Sequence, residues 1–191
     1  MFKKIFIAAI VSLLFIVGNQ VNAMPASEMY LGGFTASYRG GNDIAAASYS
    51  EMVKVYGQPV QDEGHAEDNY TCRYGNSVRI GYSGYNNEIS LITVTADNGW
   101  KTPSGLTVGM NISRATELYG TPDYTKVGAT KTAYCYFGEV SYHNGQAYPK
   151  FGFIILFNNS SGKILQLEVA GGNSMSGFDD YYEYGMKRMV D

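Results

Sequence analysis

The stretch GLTVGMNISRATELYGTPD, Gly105 to Asp123, decides how the fold is read, because a weaker copy of its second half, YSEMVKVYGQP, stands at Tyr49 to Pro59. Superposing Tyr119-Gly120-Thr121-Pro122 on Tyr56-Gly57-Gln58-Pro59 needs an offset of 63 residues, and the same offset carries Cys72 onto Cys135 and Gly75 onto Gly138. Farther along the offset becomes 75, pairing Glu88-Ile89 with Lys163-Ile164 and Val94 with Val169, so about 12 extra residues fall around Glu139 to Lys150. Self-similarity of this kind points to two copies of one supersecondary unit that stack or pair.

Each copy begins with a helix. Tyr49 to Tyr56 has Ser50 as a cap, Glu51 in the first turn and a stripe of Met52, Val53, Val55 and Tyr56. In the second copy Asn111 or Ser113 caps a stripe of Ile112, Ala115, Leu118 and Tyr119. Gly57 and Gly120 then release the chain ahead of Pro59 and Pro122, so Tyr-Gly-x-Pro reads as a helix stop. A phosphate loop is excluded by order, since the glycine follows the helix instead of preceding one.

After each helix come a polar loop and three apolar runs separated by turn residues, the pattern of an antiparallel meander. The runs are Asn69 to Tyr74, Ser77 to Tyr82 and Glu88 to Ala96, then Thr132 to Phe137, Lys150 to Phe157 and Lys163 to Ala170. Period-two alternation gives one face Tyr70, Cys72, Tyr74, Val78, Ile80, Tyr82, Ile92 and Val94 in the first copy. In the second copy the same face takes Ala133, Cys135, Phe137, Phe153, Ile155, Phe157, Leu167 and Val169, and this face is expected to meet the helices. The opposite face carries Thr71, Arg73, Arg79, Gly81, Thr93 and Thr95 in the first copy, and Tyr134, Tyr136, Ile154, Leu156, Gln166 and Glu168 in the second.

The expected fold is therefore α+β: a tandem repeat, each unit a helical segment on a three- to four-stranded antiparallel sheet, with the two sheets able to join as one. Residues 1–23, MFKKIFIAAIVSLLFIVGNQVNA, read as a signal peptide with a Lys3-Lys4 start, an apolar run and a small-residue cleavage site. Residues 24–99 form the first repeat, 100–173 the second and 174–191 a C-terminal segment. In that segment FDDYYEYGMKRMVD suits a short helix, with Asp179 and Asp180 early and Lys187 and Arg188 late. The expected location is secreted or periplasmic, with no stable membrane anchor after cleavage.

Composition narrows the function. The 191-residue chain carries a formal charge of −3, which falls to about −5 once Lys3 and Lys4 leave with the leader, and this offers no basic surface for nucleic acid. Tyrosine (17) and glycine (23) supply much of the polar and turn character, as in exported β-rich proteins. Only two histidines occur, His65 in QDEGHAEDN and His143 in SYHNGQ, and neither lies near Cys72 or Cys135 in sequence. The Asp62, Glu63, His65, Glu67, Asp68 cluster follows no metal-ligand spacing and reads as a solvated acidic loop. No catalytic residue, metal or cofactor is expected, and the chain is read as a non-enzyme.

The match of Gly105 to Pro122 to Gly-[Ile/Leu]-Thr-Val-Gly-Met-Ser…Tyr-Gly-x-Pro resembles small exported bacterial proteins of uncharacterised function. In architecture it is similar to the tandem β-lactamase-inhibitor-protein fold and to the small lipoproteins of outer-membrane assembly. The resemblance covers most of Tyr49 to Ala170 and implies a non-catalytic protein-binding role by analogy of fold.

The expected activity is recognition of an envelope protein through the sheet surface, using the apolar group Tyr134, Tyr136, Ile154 and Leu156. The alternative is glycan or cell-wall binding by stacking on Tyr134, Tyr136, Tyr142 and Tyr148. Cys72 and Cys135, equivalent positions in an exported chain, are expected to form a disulfide across a seam that sets the strand of Asn69 to Tyr74 beside that of Thr132 to Phe137, the alternative being that each is a small buried apolar residue on the helix-facing side, inherited by both copies through duplication.

Overall fold

Eight strands form one antiparallel sheet in the computed structural model, which describes residues 24–36, 46–66, 69–84, 87–138, 140–143, 146–149, 151–171 and 184–191. The expected leader lies outside the described residues. In chain order the sheet strands are β1 (Gln61–Ala66), β2 (Asn69–Tyr74), β3 (Val78–Ser83), β4 (Ile89–Val94), β5 (Tyr124–Val127), β6 (Lys131–Phe137), β9 (Phe151–Asn158) and β10 (Ile164–Gly171). A separate hairpin of β7 (Val140–His143) and β8 (Gln146–Pro149) fills the region where the extra residues were located. Across the sheet the order is β1-β2-β3-β4-β10-β9-β6-β5.

Two repeated helix-on-sheet units are thus not what forms. β4 and β10 pair at the centre, with Thr93 opposite Glu168 and Ile92 opposite Val169, so the strands make one continuous sheet, with three short α-helices among the described residues. Core residues from both sides of position 100, from Met24 to Val169, belong to one cluster that includes Trp100 and Leu106.

The helices start and stop for local reasons. α1 (Tyr49–Tyr56) is opened by a capping box in which Ser48, not Ser50, accepts from the Glu51 amide while the Glu51 carboxylate accepts from the Ser48 amide. That exchange holds the Glu51 carboxyl below its ordinary range. α2 (Ser113–Tyr119) is opened by Asn111, whose side-chain oxygen accepts from the Ser113 amide at 3.0 Å. Both stop at the expected glycines: Gly57 has φ 77 and ψ −168, and Gly120 has φ 78 and ψ −153. This basin is open essentially to glycine alone. A Cβ at Gly120 would meet nothing within 4 Å, so Gly120→Ala is expected to cost about 1–3 kcal/mol through the backbone alone, read as a lower midpoint in denaturant at unchanged slope.

The sheet is best followed in rows of directly opposed residues. One row runs Cys72–Ile80–Ile92–Val169–Phe153–Tyr136 and faces α1, α2 and the segments around Leu31 and Leu106. The next row, on the other face, runs Gln61–Arg73–Arg79–Thr93–Glu168–Ile154–Cys135–Tyr124. At the β6 end this second face is covered by α3 (Tyr184–Val190), whose Met186 and Val190 pack with Ala133, Cys135, Phe137, Ile154, Leu156 and Ala170 in a second core. The approach is close at Gly128, where a Cβ would stand 2.5 Å from the Val190 carbonyl oxygen.

These rows correct the expected disulfide and its seam. Cys72 and Cys135 are both buried thiols, on opposite faces of the sheet and five strand spacings apart, roughly 24 Å at about 4.8 Å per spacing. A disulfide needs Cα atoms within about 7 Å. Burial also pushes the Cys135 thiol well above its ordinary range. We expect two alkylated cysteines after denaturation without reductant, none under native conditions on the same timescale, and no change in melting temperature on adding reductant.

Two further expectations change. Of the acidic stretch, Asp62, Glu63 and His65 are not in a loop but in edge strand β1, paired with β2 through Gln61–Arg73 and Ala66–Asn69, while Glu67 and Asp68 lie outside the described residues. An edge position needs only one backbone partner and tolerates charge, which blunts pairing with other chains. In β6 the faces are exchanged: Tyr134 and Tyr136 point to the helix side, and Ala133, Cys135 and Phe137 to α3.

Candidate functional site

The exposed part of the second face lies beyond the edge of α3, where the row passes from Ile154 to Glu168, Thr93, Arg79 and Arg73. Because opposed residues in an antiparallel ladder share a face, these side chains line one strip across four strands. Arg73 and Arg79 are exposed, and α3 adds Arg188 from its last turn. With Ser77, Thr95 and Gln166 they border a shallow cleft of about 560 Å³.

Glu168 forms the inner end of this strip and is buried at 8% exposure. One of its carboxylate oxygens accepts from the Thr93 hydroxyl and from the Gln166 amide, each at 3.1 Å. Loss of hydration raises its pKa to about 7, against the smaller opposing effects of Thr93, Arg79 and Gln166. Near neutrality the carboxylate is only partly ionised, whereas the guanidinium groups keep their charge. The strip therefore gathers three guanidinium groups on one face of a chain of net negative charge.

The residues expected to bind fall elsewhere. Tyr136 has 0% exposure, meets the Tyr119 ring edge-on, stands opposite Phe153 on the neighbouring strand, and donates its hydroxyl proton to the Gly120 carbonyl at 3.1 Å. Tyr134 packs edge-on to Phe157 in the helix-side core, and Ile154 and Leu156 lie beneath α3. None of these four is a contact surface. Tyr142 lies in β7 and Tyr148 in β8; their side chains fall outside the described residues.

No family model and no curated protein matches the chain. Among solved structures it is similar to an extracellular protein containing an SCP domain from Bacillus anthracis, with a TM-score of 0.46 at 9% identity over 68% of this chain and 44% of that one. A cysteine-rich secretory protein from Staphylococcus aureus gives a TM-score of 0.45 at 10% identity over 78% of this chain and 50% of that one. A β-lactamase-inhibitor-like protein from Streptococcus mutans gives 0.28 at 12% identity over 69% of this chain and 86% of that one. The chain thus spans half or less of the first two proteins.

Among the described residues no three His, Cys, Asp or Glu side chains converge as a metal site would require. No described helix is long and apolar enough to cross a membrane. Arg73, Arg79, Thr93 and Glu168 were each legible as residues of the face away from α1 and α2. Arg188 was not, because its place depends on how α3 docks, and local sequence does not encode that.

Proposed function

We propose that the chain is an exported, non-catalytic binding module that recognises an acidic segment of an envelope protein on the arginine-bearing strip of its sheet. The observation that carries this reading is the placement of Arg73 and Arg79 directly opposite each other, in one row with Thr93 and Glu168 and beside Arg188. Paired guanidinium groups present fixed forks of donors matched to carboxylates. On a chain of net negative charge an acidic partner is repelled elsewhere on the surface and drawn to this strip, which gives selectivity as well as attraction. Export rests on the leader-like residues 1–23.

The test is retention of envelope proteins on the immobilised chain lacking residues 1–23, compared with the double variant Arg73→Glu and Arg79→Glu. Both positions are exposed, so the fold is expected to survive. The wild type is expected to hold a partner that the variant loses and that elutes when salt is raised to about 1 M, where charges are screened within about 3 Å. Equal retention by the variant, or binding only to purified cell-wall glycan, would overturn the reading.

A further inference from the structure

On the helix side of the sheet, the two Tyr-Gly-x-Pro stops end in different surroundings. Tyr119 is enclosed: its ring stacks edge-on to Tyr136 and Phe153, and its hydroxyl bonds to Thr102 at 2.8 Å and donates to Glu28 at 3.2 Å. Tyr56 remains 39% exposed. Its ring lies 5.0 Å from that of Trp100, with Phe34 and Tyr74 at 5.7 and 6.1 Å, and its hydroxyl donates to the Gly32 carbonyl.

The Tyr56–Trp100 pair separates two hollows. One, of about 680 Å³, runs along Tyr30, Gly33, Trp100 and Lys101; the other, of about 330 Å³, runs past Val60 and Tyr74. Both are bordered by Tyr56 and Trp100. Trp100 is fixed in place, since Gly32 at φ 59 lies so near the indole that a Cβ there would stand 2.5 Å from it. Around the same helix end the apolar side chains of Val55 and Val60 are 61% and 72% exposed. Grouped exposure of this kind marks a contact site more than scattered surface residues do.

Charge narrows the ligand. Lys101 stands exposed at the rim of the larger hollow, and among the described residues its ammonium has no carboxylate partner. The walls are otherwise mainly aromatic rings and glycine backbone, with Ser27 and Thr102 as the polar side chains. A concave apolar site with few convergent polar groups binds an apolar body and orients it by the polar end.

We infer that this hollow is a second binding site, which takes the C-terminal end of a peptide: an apolar terminal side chain rests against Trp100 and Tyr56, and the terminal carboxylate reaches Lys101. The site lies on the opposite face from the arginine strip and does not depend on it.

Trp100 is the single tryptophan of the chain, so its emission reports the site directly. The chain is titrated with Gly-Gly-Phe as the free acid and as the C-terminal amide, and Trp100 emission is followed. The inference expects a saturable change with both, and binding of the acid about threefold or more tighter, the scale of one exposed ion pair. Lys101→Met is expected to abolish the preference for the acid while leaving the fold and the response to the amide in place. Tyr30→Ala, in the wall of the same hollow, is expected to weaken both ligands. An unchanged Trp100 emission would overturn the inference, as would equal affinity for acid and amide or a preference that survives in Lys101→Met.

Discussion

Glu168→Gln is expected to raise the melting temperature at pH 8 and to leave it almost unchanged at pH 4. The carboxyl is buried, its pKa stands at about 7 against 4.5 for an ordinary glutamate, and loss of hydration is the principal cause. A carboxylic acid whose pKa is raised by folding binds protons more tightly in the native state. Stability therefore falls as pH rises through the window from about 4.5 to about 7 and levels off above it. At about 1.4 kcal/mol per unit, the native state carries a penalty on the order of 3 kcal/mol at pH 8. Glutamine removes the ionisation and keeps an oxygen to accept from Thr93 and Gln166. For a chain of this length that corresponds to roughly 5–10 °C. Thermal melts of both proteins from pH 4 to pH 8 check it: wild type and variant are expected to diverge only above about pH 5. Parallel curves would show that Glu168 is hydrated and ionises freely.

Tyr136→Ser is expected to cost about 3–5 kcal/mol, the range for removing a large buried aromatic. The ring has no exposure, meets Tyr119 edge-on, stands opposite Phe153, and ties the sheet to the end of α2 through its bond to the Gly120 carbonyl. The lost contacts leave a cavity between helix and sheet, and the Gly120 oxygen loses its donor. Read from sequence alone, serine at Tyr134 and Tyr136 should spare the fold and remove binding. With the two rings in the helix-side core, the double variant is instead expected to be largely unfolded at 37 °C. Denaturant unfolding of the single variant gives the magnitude, and a midpoint close to wild type would place Tyr136 on the surface after all.

The reversal at β6 shows where the sequence becomes ambiguous. In Val78-Arg79-Ile80 the charged member fixes the parity, so Arg79 faces out and Ile80 in, and the expected faces of β2, β3 and β4 match the structure. In Ala133-Tyr134-Cys135-Tyr136-Phe137 every residue is apolar or aromatic, because α1 and α2 side residues press on one face and α3 on the other. A strand buried on both faces carries no alternation to read. β9, with Phe153-Ile154-Ile155-Leu156, is covered in the same way. The main strands and both helix stops were legible because turn glycines, caps and apolar runs act locally. The central pairing of β4 with β10 and the docking of α3 were not, since these contacts join residues about 75 or more apart in sequence or depend on a helix seven residues long.

The same distinction separates the two halves of the arginine strip. Arg73, Arg79, Thr93 and Glu168 follow from strand parity, but only the central β4–β10 pairing makes them one surface. The measurement that tests this surface most directly is a map of backbone amide shifts in the labelled chain, recorded as the captured envelope partner is added. The account predicts the largest changes at Arg73, Arg79, Thr93, Thr95 and Gln166, fading toward α1 and α2, and their loss in the double variant Arg73→Glu and Arg79→Glu. Shifts confined to the helix side, with those five amides unmoved, would contradict it.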